Sequence, residues 1–250
     1  MRIIPAIDLK NGRCVRLTEG REESARIYES DPIEVARNYE QAGAELIHIV
    51  DLDGAFLGRA SENQRIIGAI ARRINVPVEV GGGVRSLPDI EALLTDVGAS
   101  FVIVGTLAVE KSDVLQEAVN RYAESVVVGI DARGEWVATR GWKEATKVSA
   151  LDLATRVVEM GVRRIIYTDI ARDGRLEGPN LEMTREIALT SGARVTASGG
   201  VSSLEDIARL CELEADGVDS VIVGKALYEG RFTIEQAIAT ARLGVRFNSP

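Results

Sequence analysis

The chain has one histidine, His48, and two cysteines, Cys14 and Cys211, among its 250 residues. A single imidazole inside an apolar run, with no Cys-x-x-Cys spacing, suggests neither a zinc site nor a disulfide scaffold, so both thiols read as ordinary side chains. The same scarcity removes the Ser/His and Cys/His pairings on which nucleophilic catalysis often depends. Nothing approaches the roughly 18 consecutive apolar residues of a membrane helix. Met1-Arg2-Ile3 leads into a strand-like run instead of a signal segment, which predicts a cytoplasmic chain with no membrane contact. Basic residues are also in short supply: 30 Lys and Arg stand against 38 Asp and Glu, a net charge of −8. That balance argues against a nucleic-acid partner and disfavours anions at long range. A phosphorylated ligand would have to be held by local backbone amides, helix N-termini and a few cations.

What the chain does have is an internal repeat. Arg2-Ile3-Ile4-Pro5-Ala6-Ile7-Asp8 is answered by Ser125-Val126-Val127-Val128-Gly129-Ile130-Asp131. Ile47-His48-Ile49-Val50-Asp51 aligns with Ile165-Ile166-Tyr167-Thr168-Asp169, and Val80-Gly81-Gly82-Gly83 with Ala197-Ser198-Gly199-Gly200. Phe101-Val102-Ile103-Val104-Gly105 aligns in turn with Asp219-Ser220-Val221-Ile222-Val223-Gly224. Four strand ends therefore recur in one order at an offset of about 120 residues, far too long for a solenoid unit, which implies two similar halves packed together.

Short Val/Ile-rich runs alternate with amphipathic segments throughout, the pattern of βα units in a parallel sheet. Eight strand ends are expected near Asp8, Asp51, Gly81, Gly105, Asp131, Asp169, Ser198 and Gly224. Asp31-Pro32 predicts a helix start, with Val35, Tyr39 and Ala42 on one face. Ser61-x-x-Gln64 and Ser202-x-x-Glu205 read as capping boxes. Ile90, Leu93, Leu94 and Val97 predict a buried face on the third helix, and Leu151, Ala154 and Val158 one on the fifth. Two like halves of four βα units close most simply into an α/β (β/α)₈ TIM barrel. The expected organisation is a single domain over residues 1–250, with half-barrels at about 1–124 and 125–250. The stretches from Asn11 to Ser30 and from Ala132 to Lys147 show no clear periodicity. Both follow the strands ending in Asp8 and Asp131, and long loops at that end of a barrel are where active sites are built.

Asp8 and Asp131 thus reach one mouth from matching positions, suited to give a proton on one side of a substrate and take one on the other. Serving as an acid at neutral pH requires a carboxyl pKa raised by roughly three units, or about 4 kcal/mol, which burial and neighbouring negative charge would supply. Glycine-rich turns at Gly81-Gly82-Gly83, Gly105-Thr106, Ser198-Gly199-Gly200 and Gly224-Lys225 would let backbone N–H groups approach phosphate oxygens. Taken singly, each also reads as a tight corner. Their recurrence in both halves implies two opposed phosphate sites and a long substrate with a phosphate at each end.

With these residues assembled, the chain resembles the ProFAR isomerase family of histidine biosynthesis over nearly its full length. The resemblance rests on Pro5-Ala6-Ile7-Asp8-Leu9, Val15-Arg16-Leu17, His48-Ile49-Val50-Asp51-Leu52-Asp53, Gly81-Gly82-Gly83-Val84-Arg85 and Gly141-Trp142. It continues through Thr168-Asp169-Ile170, Arg172-Asp173-Gly174, Ala197-Ser198-Gly199-Gly200-Val201 and Val223-Gly224-Lys225-Ala226-Leu227. It implies a (β/α)₈ barrel and an Amadori rearrangement of an aminoaldose to an aminoketose, without cofactor or metal, in a chain expected to be a monomer. On the matching positions, Asp8 would be the base that removes the C2 proton and Asp131 the acid that protonates the ring oxygen, with Asp173 a rival for the acid. Thr168 would orient the substrate. Arg16 and Gly141-Trp142 would come from mobile loops that close over it. The binding set carried over is Arg16, Gly82, Gly83, Arg85, Gly105, Thr106, Arg140, Trp142, Gly199, Gly200, Gly224 and Lys225.

Plainer readings stand beside these. An aspartate ending a barrel strand often caps a helix or pairs with a loop arginine, which is the expectation for Asp51 and Asp169. His48 is expected to be a satisfied core or mouth residue, and Lys10, Glu19 and Glu22 solvated loop charges. Trp142 would either anchor its loop or stack on an imidazole ring. The related cyclase family opens with a Cys-Leu-Asp strand end where this chain has Ala6-Ile7-Asp8, which favours the isomerase. Arg140-Gly141-Trp142 keeps open a bifunctional isomerase that also takes phosphoribosylanthranilate. A noncatalytic phosphosugar-binding barrel would gain nothing from two carboxylates beside an anion.

Overall fold

Val-, Ile- and Ala-rich runs form the parallel strands that the alternation predicts, because alternate side chains find apolar partners on both faces of the sheet. A computed structural model describes residues 1–28, 31–57 and 61–247. Within these, the strands are β1 (Arg2–Lys10), β2 (Arg13–Thr18), β3 (Arg21–Tyr28), β4 (Ile47–Asp51), β5 (Val78–Gly81) and β6 (Phe101–Val104). They continue as β7 (Val126–Arg133), β8 (Trp136–Thr139), β9 (Glu144–Ser149), β10 (Arg164–Asp169), β11 (Arg194–Ser198) and β12 (Val218–Val223). Parallel pairing runs β1-β4-β5-β6-β7-β10-β11-β12 and returns to β1, so eight strands close a barrel with helices between them. The expected strand ends all hold.

The two faces of the barrel are distinct. Outward-facing residues such as Ile47 and Ile49 join the large core under the helices. Inward-facing Ile4, Ala6, Leu46, Val127, Ile166 and Ile222 fill the barrel, with Phe101 and Ile103 against them. At roughly 1.5–3 kcal/mol for each large apolar side chain buried, this plug stabilises the floor on which the mouth is built.

Helix starts follow local chemistry, sometimes one residue from where the sequence pointed. Asp31 caps Pro32–Gln41 by accepting from the Ile33 N–H, as expected. The expected box at Ser202 and Glu205 is instead a box at Ser203 and Asp206. Ser61 caps no helix as a box either: its hydroxyl lies 2.7 Å from both Asp51 carboxylate oxygens, and the helix cap is Glu62. The hydroxyl donates to that carboxylate while its oxygen accepts from the Asn63 N–H at 3.0 Å, so it serves Asp51 and the helix start together. On the helix Ala150–Glu159 the buried residues are Ala150, Leu153, Ala154 and Val157, while Leu151 and Val158 are only half-buried, so the contact stripe is turned slightly from the expected one. Ile90, Leu93 and Val97 are buried, the last turn relaxing into a π-helical segment at Leu93–Val97.

The largest departure lies in the two mouth stretches expected to be irregular. Both are β-hairpins: β2 pairs antiparallel with β1 and β3, and β8 with β7 and β9. The turns explain it. Asn11-Gly12 and Glu19-Gly20 are two-residue turns with positive φ at both positions (49° and 74°, 52° and 68°), the mirror-image geometry that suits hairpin twist. The end of the first stretch, at Ser30, lies outside the described residues. No helix among the described residues is long and apolar enough to cross a membrane.

Candidate active site

Asp8 and Asp131 emerge at the same end of the barrel, on β1 and β7, and each is met by the hairpin that follows its own strand. Asp8 Oδ2 accepts from Arg16 Nη1 at 2.6 Å. Arg16 is not on an irregular loop but on β2, 7% exposed, where it also donates to the Ala6 carbonyl and lies 4.7 Å from the centre of the Tyr228 ring. A buried guanidinium left without its carboxylate would be costly, so this pair organises the first half of the mouth. Asp131 Oδ2 accepts from the Trp142 indole N–H at 2.7 Å, and Thr168, its partner across the β7–β10 ladder, adds a hydroxyl hydrogen bond. Burial pushes the Asp131 carboxyl up, and those two hydrogen bonds and the nearby His48 work against the rise.

Asp173 is the third carboxylate. A turn closed by Asp173 N–H donating to the Asp169 carbonyl at 3.0 Å places it over the same cavity. Its pKa is pushed up to about 7, first by desolvation and next by the negative charge of Asp8, with Asp131 adding to the rise and Arg16 and Lys225 opposing it. A carboxyl with that pKa is substantially protonated at neutral pH.

The glycine turns are built as the sequence suggested. Gly82, Gly83, Gly199 and Gly200 all have positive φ. A Cβ on Gly82 would strike the Asp51 carbonyl and one on Gly199 would come within 2.9 Å of the Asp169 carbonyl, so these corners require glycine. Gly105 (φ −108°, ψ −82°) and Gly224 (φ −110°, ψ −94°) share another conformation, each preceding a short helical turn. Lys225 Nζ donates to the Gly174 carbonyl at 2.6 Å and lies 3.4 Å from the Thr18 hydroxyl. Arg85 and Thr106 line the cavity too, and Thr106 Oγ1 accepts from the Arg140 N–H at 2.9 Å.

Every site residue expected from the sequence lines this one cavity. Some do so differently from expectation. Arg140 carries its guanidinium outward to Glu110 and Glu144, at 3.1 and 3.3 Å. Trp142 does anchor its loop, through Asp131. Arg140, Gly141 and Trp142 are three successive left-handed residues (φ 57°, 65° and 67°), a strained turn that a structure maintains only where its surroundings hold it. Asp51 and Asp169 are the loop organisers expected: Asp51 takes the Gly54 N–H, Ser61 and Asn63, and Asp169 takes the Ala171 N–H and Asn180.

Two readings change. Glu19 is not a solvated charge: its side chain is 8% exposed and surrounded by arginines. Lys10 lies 5.5 Å from the Phe56 ring centre, a cation–π contact. His48 is the satisfied mouth residue expected: its Nδ1 is 2.7 Å from buried Glu79 and its ring faces the cavity. The side chain of Glu22 lies outside the described residues. No cluster of His, Cys, Asp and Glu able to hold a metal occurs among the described residues.

Residues 2–233 match the family described as histidine biosynthesis protein. The chain is 48% identical over 244 residues to a protein of Moorella thermoacetica, covering 98% of this chain and 100% of that one. It is 50% identical over 242 residues to one of Syntrophotalea carbinolica, covering 97% and 99%, and 48% identical over 244 residues to one of Geobacter sulfurreducens, covering 98% and 99%. All three bear the name 1-(5-phosphoribosyl)-5-((5-phosphoribosylamino)methylideneamino)imidazole-4-carboxamide isomerase.

Proposed function

The chain belongs to the histidine biosynthesis protein family and is an isomerase, and we propose that it carries out the reaction named in its relatives by paired carboxyl groups. The substrate class is an N-linked phosphoribosylamine bearing a second phosphoribosyl group, ProFAR. The ribosyl ring opens and the aminoaldose becomes an aminoketose. The carrying observation is a mouth that holds carboxyl groups in different states: Asp8 against an arginine, and Asp173 raised to about 7.

The ring oxygen takes a proton as its bond to C1 breaks, leaving an iminium at C1 and N. Asp8 then removes the proton from C2, giving an enolamine, and protonation at C1 with loss of the C2 hydroxyl proton completes the aminoketose. Asp173 suits the donor role better than Asp131. Two hydrogen bonds donated by Trp142 and Thr168 make the Asp131 carboxyl an acceptor, which favours its charged form, whereas desolvation and Asp8 favour the neutral form of Asp173. Asp131 then holds the indole in place as a flat wall for the imidazole ring. The turns at Gly82-Gly83 and Gly105-Thr106 would take one phosphate, with Arg85 beside them. Those at Gly199-Gly200 and Gly224-Lys225 would take the other. Within the closed barrel, residues of about 1–124 and 125–250 read as repeated halves, each supplying one such site.

A second reading adds phosphoribosylanthranilate as a substrate. It draws on Arg140, which lines the cavity from the strained turn it shares with Trp142. Steady-state turnover with each compound, beside Asp8→Asn, decides between them. Turnover of ProFAR alone, lost in Asp8→Asn, supports the dedicated isomerase. Turnover of both supports dual use, and turnover of neither overturns the proposal.

A further inference from the structure

Glu19 stands at the tip of the β2–β3 hairpin, in a turn where a charged side chain would ordinarily point into water. Instead Oε1 lies 2.8 Å from Arg175 Nε, and Oε2 lies 3.4 Å from both Arg133 Nη2 and Arg21 Nη2. These arginines come from three places. Arg21 belongs to the same hairpin, Arg133 ends the strand that carries Asp131, and Arg175 follows Asp173 by two residues. The Glu19 N–H also donates to the Asp173 carbonyl at 3.1 Å. Beside it, Gly20 has the Trp142 indole where a Cβ would project, and Gly174 has the Leu17 carbonyl in the same place. The hairpin tip therefore sits down on both Trp142 and the Asp173 turn.

We propose that Glu19 is a positioning residue of the isomerase, a carboxylate that ties the three mouth loops together and so keeps water from Asp173 while the substrate reacts. The catalytic part of this rests on the isomerase reading; the tie between the loops does not. An isolated surface ion pair would have little effect. Here one carboxylate is shared by several arginines and backed by a backbone hydrogen bond, so losing it releases separate segments at once.

The consequence for Asp173 follows from what surrounds it. Asp8 from β1, Arg16 from β2, Asp131 from β7 and Lys225 after β12 face it. Asp169, on its own turn, is occupied by the Ala171 N–H and Asn180, and Arg175 also meets Glu177 at 3.7 Å. None of these charges changes when Glu19 is neutralised. What changes is hydration and the negative charge of Glu19 itself, and both changes let Asp173 lose its proton at lower pH.

The test uses the full chain with Glu19→Gln, Arg175→Met and the double substitution. Hydrogen exchange of the free enzyme reads the tie without any reaction: protection at residues 18–20 and 173–176 should fall about tenfold in each single variant, with little further loss in the double. With ProFAR, KM should rise about tenfold while kcat changes less, and the alkaline limb of kcat should move to lower pH by about one unit. Restoring a carboxylate as Glu19→Asp should recover part of the shift. Unchanged exchange in Glu19→Gln overturns the tie. Changed exchange with an unmoved pH limb overturns the role in positioning. A wild-type enzyme inert toward ProFAR instead refutes the isomerase reading, with the exchange data still deciding the tie.

Discussion

The halves of the barrel share their supporting carboxylates and differ in their reactive ones. Asp51 and Asp169 end equivalent strands, both are buried, and each is bound by an asparagine at the start of the following helix, Asn63 and Asn180. Asp89 and Asp206 do the same work under the glycine turns after β5 and β11, accepting from the Arg85 and Ser202 N–H groups. At the mouth the likeness ends. Asp8 meets an arginine and Asp131 an indole, and the position of the first half that corresponds to Asp173 is Ala55. The parts that hold the loops are paired, whereas the proposed base, the proposed aromatic wall and the raised carboxyl are not. A reaction with distinct ends, one for proton loss and one for proton gain, needs that inequality.

Substitutions at the mouth should break the comparison most. Asp8→Asn should lower kcat by roughly 10² to 10⁴-fold, since Asp8 is the base proposed to take the C2 proton. Asp173→Asn should cost about 10²-fold or more and Asp131→Asn only about tenfold, each read as kcat on ProFAR, because Asn keeps an acceptor for Trp142 but cannot give a proton at the Asp173 position.

The paired scaffold should respond alike in both halves. Asn63→Ala and Asn180→Ala each leave a buried aspartate short of a donor, and each should lower unfolding stability by about 1–3 kcal/mol in denaturant titration. A large effect on one side alone would contradict the pairing.

Asp173 also gives an effect with a definite sign. Its folded pKa lies above the ordinary carboxylate value, so the unfolded chain loses that proton first as pH rises, and stability falls between about pH 4 and pH 7. Asp173→Asn removes this penalty. Thermal unfolding should show it more stable than wild type at pH 8, by roughly 4 kcal/mol, and indistinguishable near pH 3.5.

Much of this was legible in the sequence because it is local. The eight strand ends follow from short apolar runs, and the glycine corners from a residue type that only such backbone geometry requires. Asp8 and Asp131 stood out because the repeat put them in register. The hairpins were hidden because Arg13–Tyr28 lacks a regular apolar alternation and its partners lie across the mouth, although Asn11-Gly12 carries a hairpin signal. Glu19 was misread for the same reason: its arginines Arg133 and Arg175 are remote in sequence, and only the fold brings them together. The one-residue slip at Ser203 and Asp206 shows that capping is decided by backbone geometry as well as by residue type.

The most direct test of the central claim is the pH dependence of kcat for wild type, Asp173→Asn and Asp131→Asn on ProFAR. An alkaline limb near pH 7 that persists in Asp131→Asn and disappears from the residual rate of Asp173→Asn is the predicted result. A limb that persists in Asp173→Asn and disappears in Asp131→Asn would contradict it and return the proton-donor role to Asp131.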